Sequence, residues 1–168
     1  MAIKLPNSST ISIASTYGTP TNTTSVSNAT EAVAALTSAT GFAQGGICEI
    51  TSGWSKLDGR IARIKTLATL NATLEKIDTS NTGKFPAGAG IGSIRPISAW
   101  VQITQVLDFS TSGGEQQFAT YSFLEDTNER QIPTNKSAQA FALTLGDDAS
   151  LPWYDLLAAA DDDKLPRA

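Results

Sequence analysis

The chain contains no histidine and a single cysteine, Cys48. Without an imidazole, neither a Ser-His-Asp nor a Cys-His nucleophile can be assembled. A zinc site of the usual Cys/His type is excluded as well. One cysteine allows no internal disulfide framework, so nothing points to an oxidising compartment. Cys48 lies in a short apolar run, residues 47–50, where a reduced thiol behaves as a small hydrophobe.

Charge is also scarce. Charged residues make up 17% of the chain, the net charge is −4 and the pI is about 4.7. A basic footprint able to neutralise phosphates is missing, which argues against an ordinary DNA-binding protein. A surface past which DNA slides without sticking remains compatible. No segment approaches the ~20 apolar residues needed to span a bilayer. Residues 1–18, with Lys4 and Pro6, do not read as a signal peptide. The expectation is a protein kept in the cytoplasm, or released from it by lysis.

What the chain does have is Ser, Thr, Gly and Ala in quantity, with an apolar fraction of 40%. That mixture suits twisted sheets with many turns and self-associating surfaces, and recurring apolar runs exclude a disordered chain. At 168 residues, one domain, or one domain with a small insert, is expected. Residues 1–20 carry a short edge strand around Ile11 and Ile13, then a turn at residues 17–20. Strand candidates at 23–27, 47–51, 60–67 and 72–77 suggest a small β module over 21–95, with Asp58-Gly59 as a turn. The alanine-rich stretch 30–39 conflicts with its surroundings, because its propensity favours helix where its neighbours favour sheet. A glycine-rich loop over 85–93 leads back to the main sheet.

Residues 98–109 read as one half-buried strand, with Val101, Ile103, Leu107 and Phe109 on one face. After a turn at 112–114 come two more strands, 117–124 and 138–145. Ala119, Tyr121 and Phe123 share a face of the first, and Phe141, Leu143 and Leu145 a face of the second. Between them lies a polar loop, 125–136, carrying Glu125, Asp126, Glu129, Arg130 and Lys136. A charged loop joining two strands reads as a contact arm more than as a pocket. A helix over 150–160 follows, capped by Ser150, with Pro152 in its first turn. Asp147 and Asp148 suit the start of that helix. Trp153, Leu156, Leu157 and Ala160 form its packing stripe.

The chemistry-bearing candidates are weak. Asp161, Asp162 and Asp163 lack calcium-loop spacing and read as a solvated run at a helix end. The glycines at 88–92 lack a Gly-Lys-Ser/Thr ending, and residues 112–114 are a turn, not a nucleophile elbow. Trp54, Trp100 and Trp153 stand in three separate elements, as core or interface anchors do. Glu115, Glu125 and Glu129 sit in or beside loops without a cleft signal. Neither an enzyme nor a cofactor is expected.

Several blocks together carry a family resemblance: residues 1–7, 50–64, 77–93, 116–126, 131–148 and 151–163. The sequence resembles the major tail tube proteins of long-tailed, siphovirus-type bacteriophages. The resemblance implies a mainly β fold, a tail-tube-type β-sandwich or barrel with one packed helix. It divides the chain into a core of 1–20 and 96–168 and an inserted module at 21–95. It implies a structural subunit that assembles in the host cytoplasm into stacked, hexameric rings, forming the virion tail tube through which DNA is ejected. The implied partners are further copies of the chain, the tape measure protein and the tail terminator or tip proteins, with DNA passing unbound. Lys4, Glu125, Asp126, Glu129, Arg130 and Lys136 are the expected subunit-interface residues. Members of this branch usually continue past the position of Arg167 with strands that complete the sandwich, so another element is expected to fill that place if the chain is not cut short. The competing reading is a carbohydrate- or receptor-binding β module of a tail tip or adhesin, favoured if Trp54 and Trp100 are exposed.

Overall fold

A computed structural model of the chain describes residues 10–164 and 167–168. The described residues fall into two compact units: residues up to 103 together with 150–168, and residues 104–149.

In the first unit the alternation of apolar and polar residues produces seven antiparallel strands. They are β1 (Ile11–Tyr17), β2 (Thr21–Val26), β3 (Val33–Leu36), β4 (Ile47–Ser52), β5 (Arg60–Ala68), β6 (Asn71–Leu74) and β7 (Gly92–Ile103). Their order is β1-β7-β2-β3-β6-β5-β4, and β4 returns to pair with β7. The six strands β2 to β7 therefore close into a barrel, which removes the edges an open sheet would expose. Ile94 sits at the seam, opposite Thr21 on one side and Ile50 on the other. Beyond the seam β7 continues alongside β1, with Ile13 opposite Val101 and Ile11 opposite Ile103.

Period-two patterning fills the barrel. On β5, Ala62 and Ile64 point inward while Arg63 and Lys65 point to solvent. Ile50, Leu57, Ile64, Leu74 and Ile94 are fully buried around Cys48. Trp54 lies under the glycine-rich loop. Its indole N–H donates to the Pro86 carbonyl at 2.8 Å, and Phe85 meets its ring edge-on at 5.3 Å. Gly90 is required there, since a Cβ would fall 2.8 Å from the indole ring.

The alanine-rich stretch forms a strand, not a helix. Ala32, Ala34 and Leu36 face the interior, and β3 is paired on both sides, by β2 and β6. Small side chains fit the narrow lumen of a six-stranded barrel, and ladder bonds on both edges outweigh the few tenths of a kcal/mol per residue of helix propensity.

The helix α1 spans Pro152–Asp163, three residues beyond its expected end. Leu151, in extended conformation, is its N-cap, and no side chain caps it, so the expected capping role of Ser150 is not what starts it. Pro152 supplies the pre-set φ of the first helical position. Trp153 is buried; Leu156, Leu157 and Ala160 are half-buried, and the helix packs on β7. Asp148 accepts a hydrogen bond from Gln105 Nε2 at 3.3 Å and lies outside the first turn, where Asp155 is the acidic residue.

The expected long strand 98–109 is broken. β7 stops at Ile103 and a new strand begins at Val106, with Gln105 between them at φ 57°. A non-glycine residue in the left-handed region interrupts a strand and resets which face its neighbours occupy.

Candidate assembly surface

The second unit is a β-ribbon built from β8 (Val106–Ser112), β9 (Gln116–Tyr121), β10 (Arg130–Lys136) and β11 (Ala140–Leu145). β8 pairs with β11 and β9 with β10, so residues 106–121 run antiparallel to residues 130–145 along one two-stranded ladder. At about 3.3 Å per residue the ribbon is roughly 50 Å long. This corrects the expected strand pairing. The segment 130–136 is a strand and not loop, and only residues 122–129 form the connection at the tip.

Its polar residues form a strand because side chains replace missing ladder bonds. Pro133 has no N–H to donate, and the register shifts between Pro133 and Lys136. Thr134 Oγ1 donates to the Gln117 carbonyl at 3.1 Å, and Gln116 Nε2 donates to the Thr134 carbonyl at 3.0 Å. At the junction of the two ladders the Glu115 N–H donates to Ser137 Oγ at 3.0 Å, and the Ser137 N–H donates to the Glu115 carbonyl at 2.9 Å. Gly113 and Gly114 turn the other strand with φ near 80°, and a Cβ on Gly113 would overlap the Ala138 carbonyl.

The register sorts the side chains. On the 106–112 half, Phe109 lies opposite Leu143, and Phe109 and Phe141 stack with centroids 6.0 Å apart. Ser110, Ala142 and Thr144 take the opposite face. On the 116–121 half, Tyr121 and Ala119 share a face with Arg130 and Ile132, while Phe118 and Pro133 share the other. All of these apolar residues are in water in the single chain. Leu107 is 72% exposed, and Phe118, Ile132, Phe141 and Leu143 are exposed as well. Leu107 and Phe109 were expected on a half-buried face, yet they are 72% and 53% exposed.

The expected interface residues divide. Glu125, Asp126 and Glu129 stand together at the tip. Arg130 opens β10 and donates from its guanidinium to Asp126 at 2.7 Å, while also facing the Phe123 ring at 5.6 Å. Lys136 closes β10 at the far end of that strand, roughly 20 Å from Arg130 along the ladder. Lys4 lies outside the described residues. Sequence reasoning missed Phe109, Phe118, Ile132 and Phe141, because alternation says which residues share a face and not whether anything covers it.

The ribbon is also where the negative charge resides. Asp108, Glu115, Glu125, Asp126, Glu129, Asp147 and Asp148 stand against Arg130 and Lys136, a net of −5 in a chain of −4, so the remaining residues sum to +1. No further strand of the described residues pairs with either edge of the ribbon. Elsewhere, Trp54 and Trp153 are buried while Trp100 is exposed, so the three tryptophans share no exposed platform. Cys48 is fully buried, its Sγ lies 3.4 Å from the Ala62 carbonyl, and burial pushes its thiol up to about 12.

The family model for phage tail tube proteins, TTP, matches residues 52–168, a stretch that includes the whole ribbon and the helix. This chain belongs to the phage tail tube proteins. No curated protein and no solved structure matches it. As a tail tube protein it is a structural component of the virion tail. A lone two-stranded ribbon is marginally stable in water, and three or more strands sharing an apolar face are needed for independent stability.

Proposed function

We propose that this protein is the subunit of the tail tube of a long-tailed phage, closing into hexameric rings that stack into the conduit for DNA. The observation that carries the reading is the ribbon: two unpaired backbone edges and apolar side chains on exposed faces, in a chain whose family is tail tube. Pairing of ribbons from adjacent copies satisfies both edges at once. A head-to-tail contact of this kind closes into a ring when its rotation allows, while stacking of rings is the contact that propagates. The ribbon's net charge of −5 suits a passage for DNA, since an acidic wall lets phosphates pass without binding. The tape measure protein and the terminator or tip proteins are the remaining partners of such a tube, and the host cytoplasm is where it assembles.

Negative-stain electron microscopy of the concentrated purified chain tests this. Hollow tubes of uniform diameter built from six-fold rings are expected. A chain that stays monomeric into the millimolar range refutes self-assembly through the ribbon.

A further inference from the structure

One feature of the barrel is not used by ribbon-to-ribbon pairing. Lys56, Arg60 and Lys84 surround a depression of about 620 Å³ floored by Phe85 and bordered by Asp78, Ser80 and Asn81. None of the three cations forms an ion pair among the described residues, whereas Arg63, Lys65, Arg95, Arg130 and Arg167 all do. The single acid, Asp78, accepts from the Ser80 N–H and Oγ at 2.9 and 2.7 Å, which lowers its pKa. The rim is held in shape from below. Asn28 Nδ2 donates to the Thr79 and Phe85 carbonyls, both at 2.9 Å, and Asn81 Oδ1 accepts the Gly83 N–H at 3.0 Å. The barrel thus presents three uncompensated positive groups on an ordered rim.

The complementary charge lies in the ribbon of the same chain. At its tip Asp126 is paired with Arg130, while Glu125 and Glu129 form no ion pair among the described residues. Leu124 beside them is fully exposed. We propose that this depression is the receptor for the ribbon tip of another copy, with Glu125 and Glu129 set against Lys56, Arg60 and Lys84. The inference rests on the self-assembly reading above and names the second surface of the subunit contact. Asp78 on the rim selects this occupant over a free polyphosphate. It repels phosphates, but it has a counterpart in Arg130, which stands next to the tip acids. Exposed charges of this kind fix register and partner choice more than they add affinity.

Charge reversal tests the contact. Lys56→Glu with Lys84→Glu, and separately Glu125→Lys with Glu129→Lys, each raise the critical concentration for tube formation by about tenfold or more. Combining all four changes in one chain restores it to within about threefold of wild type. Circular dichroism melting confirms that each variant is folded. Either double variant assembling like wild type overturns the proposal, as does a fourfold variant no better than the doubles. If the Lys56/Lys84 variant forms normal tubes but no longer retains inorganic polyphosphate, the depression is a polyanion site and the docking proposal fails alone. A wild-type chain that never assembles refutes this proposal and the tube reading together.

Discussion

Truncating Phe109 or Phe141 to alanine separates assembly from folding. In the single chain the two residues are 53% and 62% exposed, and their rings stack on each other. A phenylalanine has roughly 200 Å² of surface to bury, so about 100 to 120 Å² at each residue remains for a neighbouring copy to cover. At ~25 cal/mol per Å² that amounts to ~2.5–3 kcal/mol per residue and per contact. The stack couples the two positions, so the double variant loses less than the sum. Within the monomer, alanine costs the stack, about 0.5–1.5 kcal/mol, and the part of the ring already buried there, but both lie on the ribbon, which is marginal already, and not in the barrel. Either single variant is therefore expected to raise the critical concentration for tubes by roughly one to two orders of magnitude. The cooperative melting of the barrel unit should stay where it is. Light scattering against concentration gives the first quantity, and near-ultraviolet circular dichroism of the buried tryptophans gives the second. Variants that polymerise at the wild-type concentration show that these rings stay in water in the tube, and the reasoning fails.

Two further perturbations probe the barrel. Trp54→Ala removes a buried indole together with its bond to the Pro86 carbonyl and its contact with Phe85, and is expected to cost about 3–5 kcal/mol by denaturant titration; a loss below about 1 kcal/mol shows the glycine-rich loop does not depend on it. Burial raises the Cys48 thiol from 9.0 to about 12, so the folded state holds that proton more tightly than the unfolded one. The resulting stabilisation is complete below the unfolded value and falls as pH rises from there towards 12; Cys48→Ala should lose this part of the alkaline slope in urea titrations, and Ellman's reagent should label the native thiol far more slowly than the unfolded one.

The sequence alone determined that this chain is mainly β, that it lacks the residues of a catalytic triad or a zinc site, and which residues share a strand face. Those conclusions rest on composition and on a period of two, which survive without knowledge of partners. The family was legible too, because the resemblance rests on local blocks such as 131–148 and 151–163. Three matters were decided only by tertiary structure. The alanine-rich stretch became β3, since pairing on both edges outweighs a weak intrinsic preference. The loop assigned to 125–136 became mostly β10, because Gln116 and Thr134 supply bonds that no pattern of hydrophobicity records. Finally, Leu107 and Phe109 read as one face of a half-buried strand and Phe141 as part of a shared strand face, and all three stand exposed in the chain. Alternation describes a strand's two faces, but whether a face is covered depends on what is packed against it.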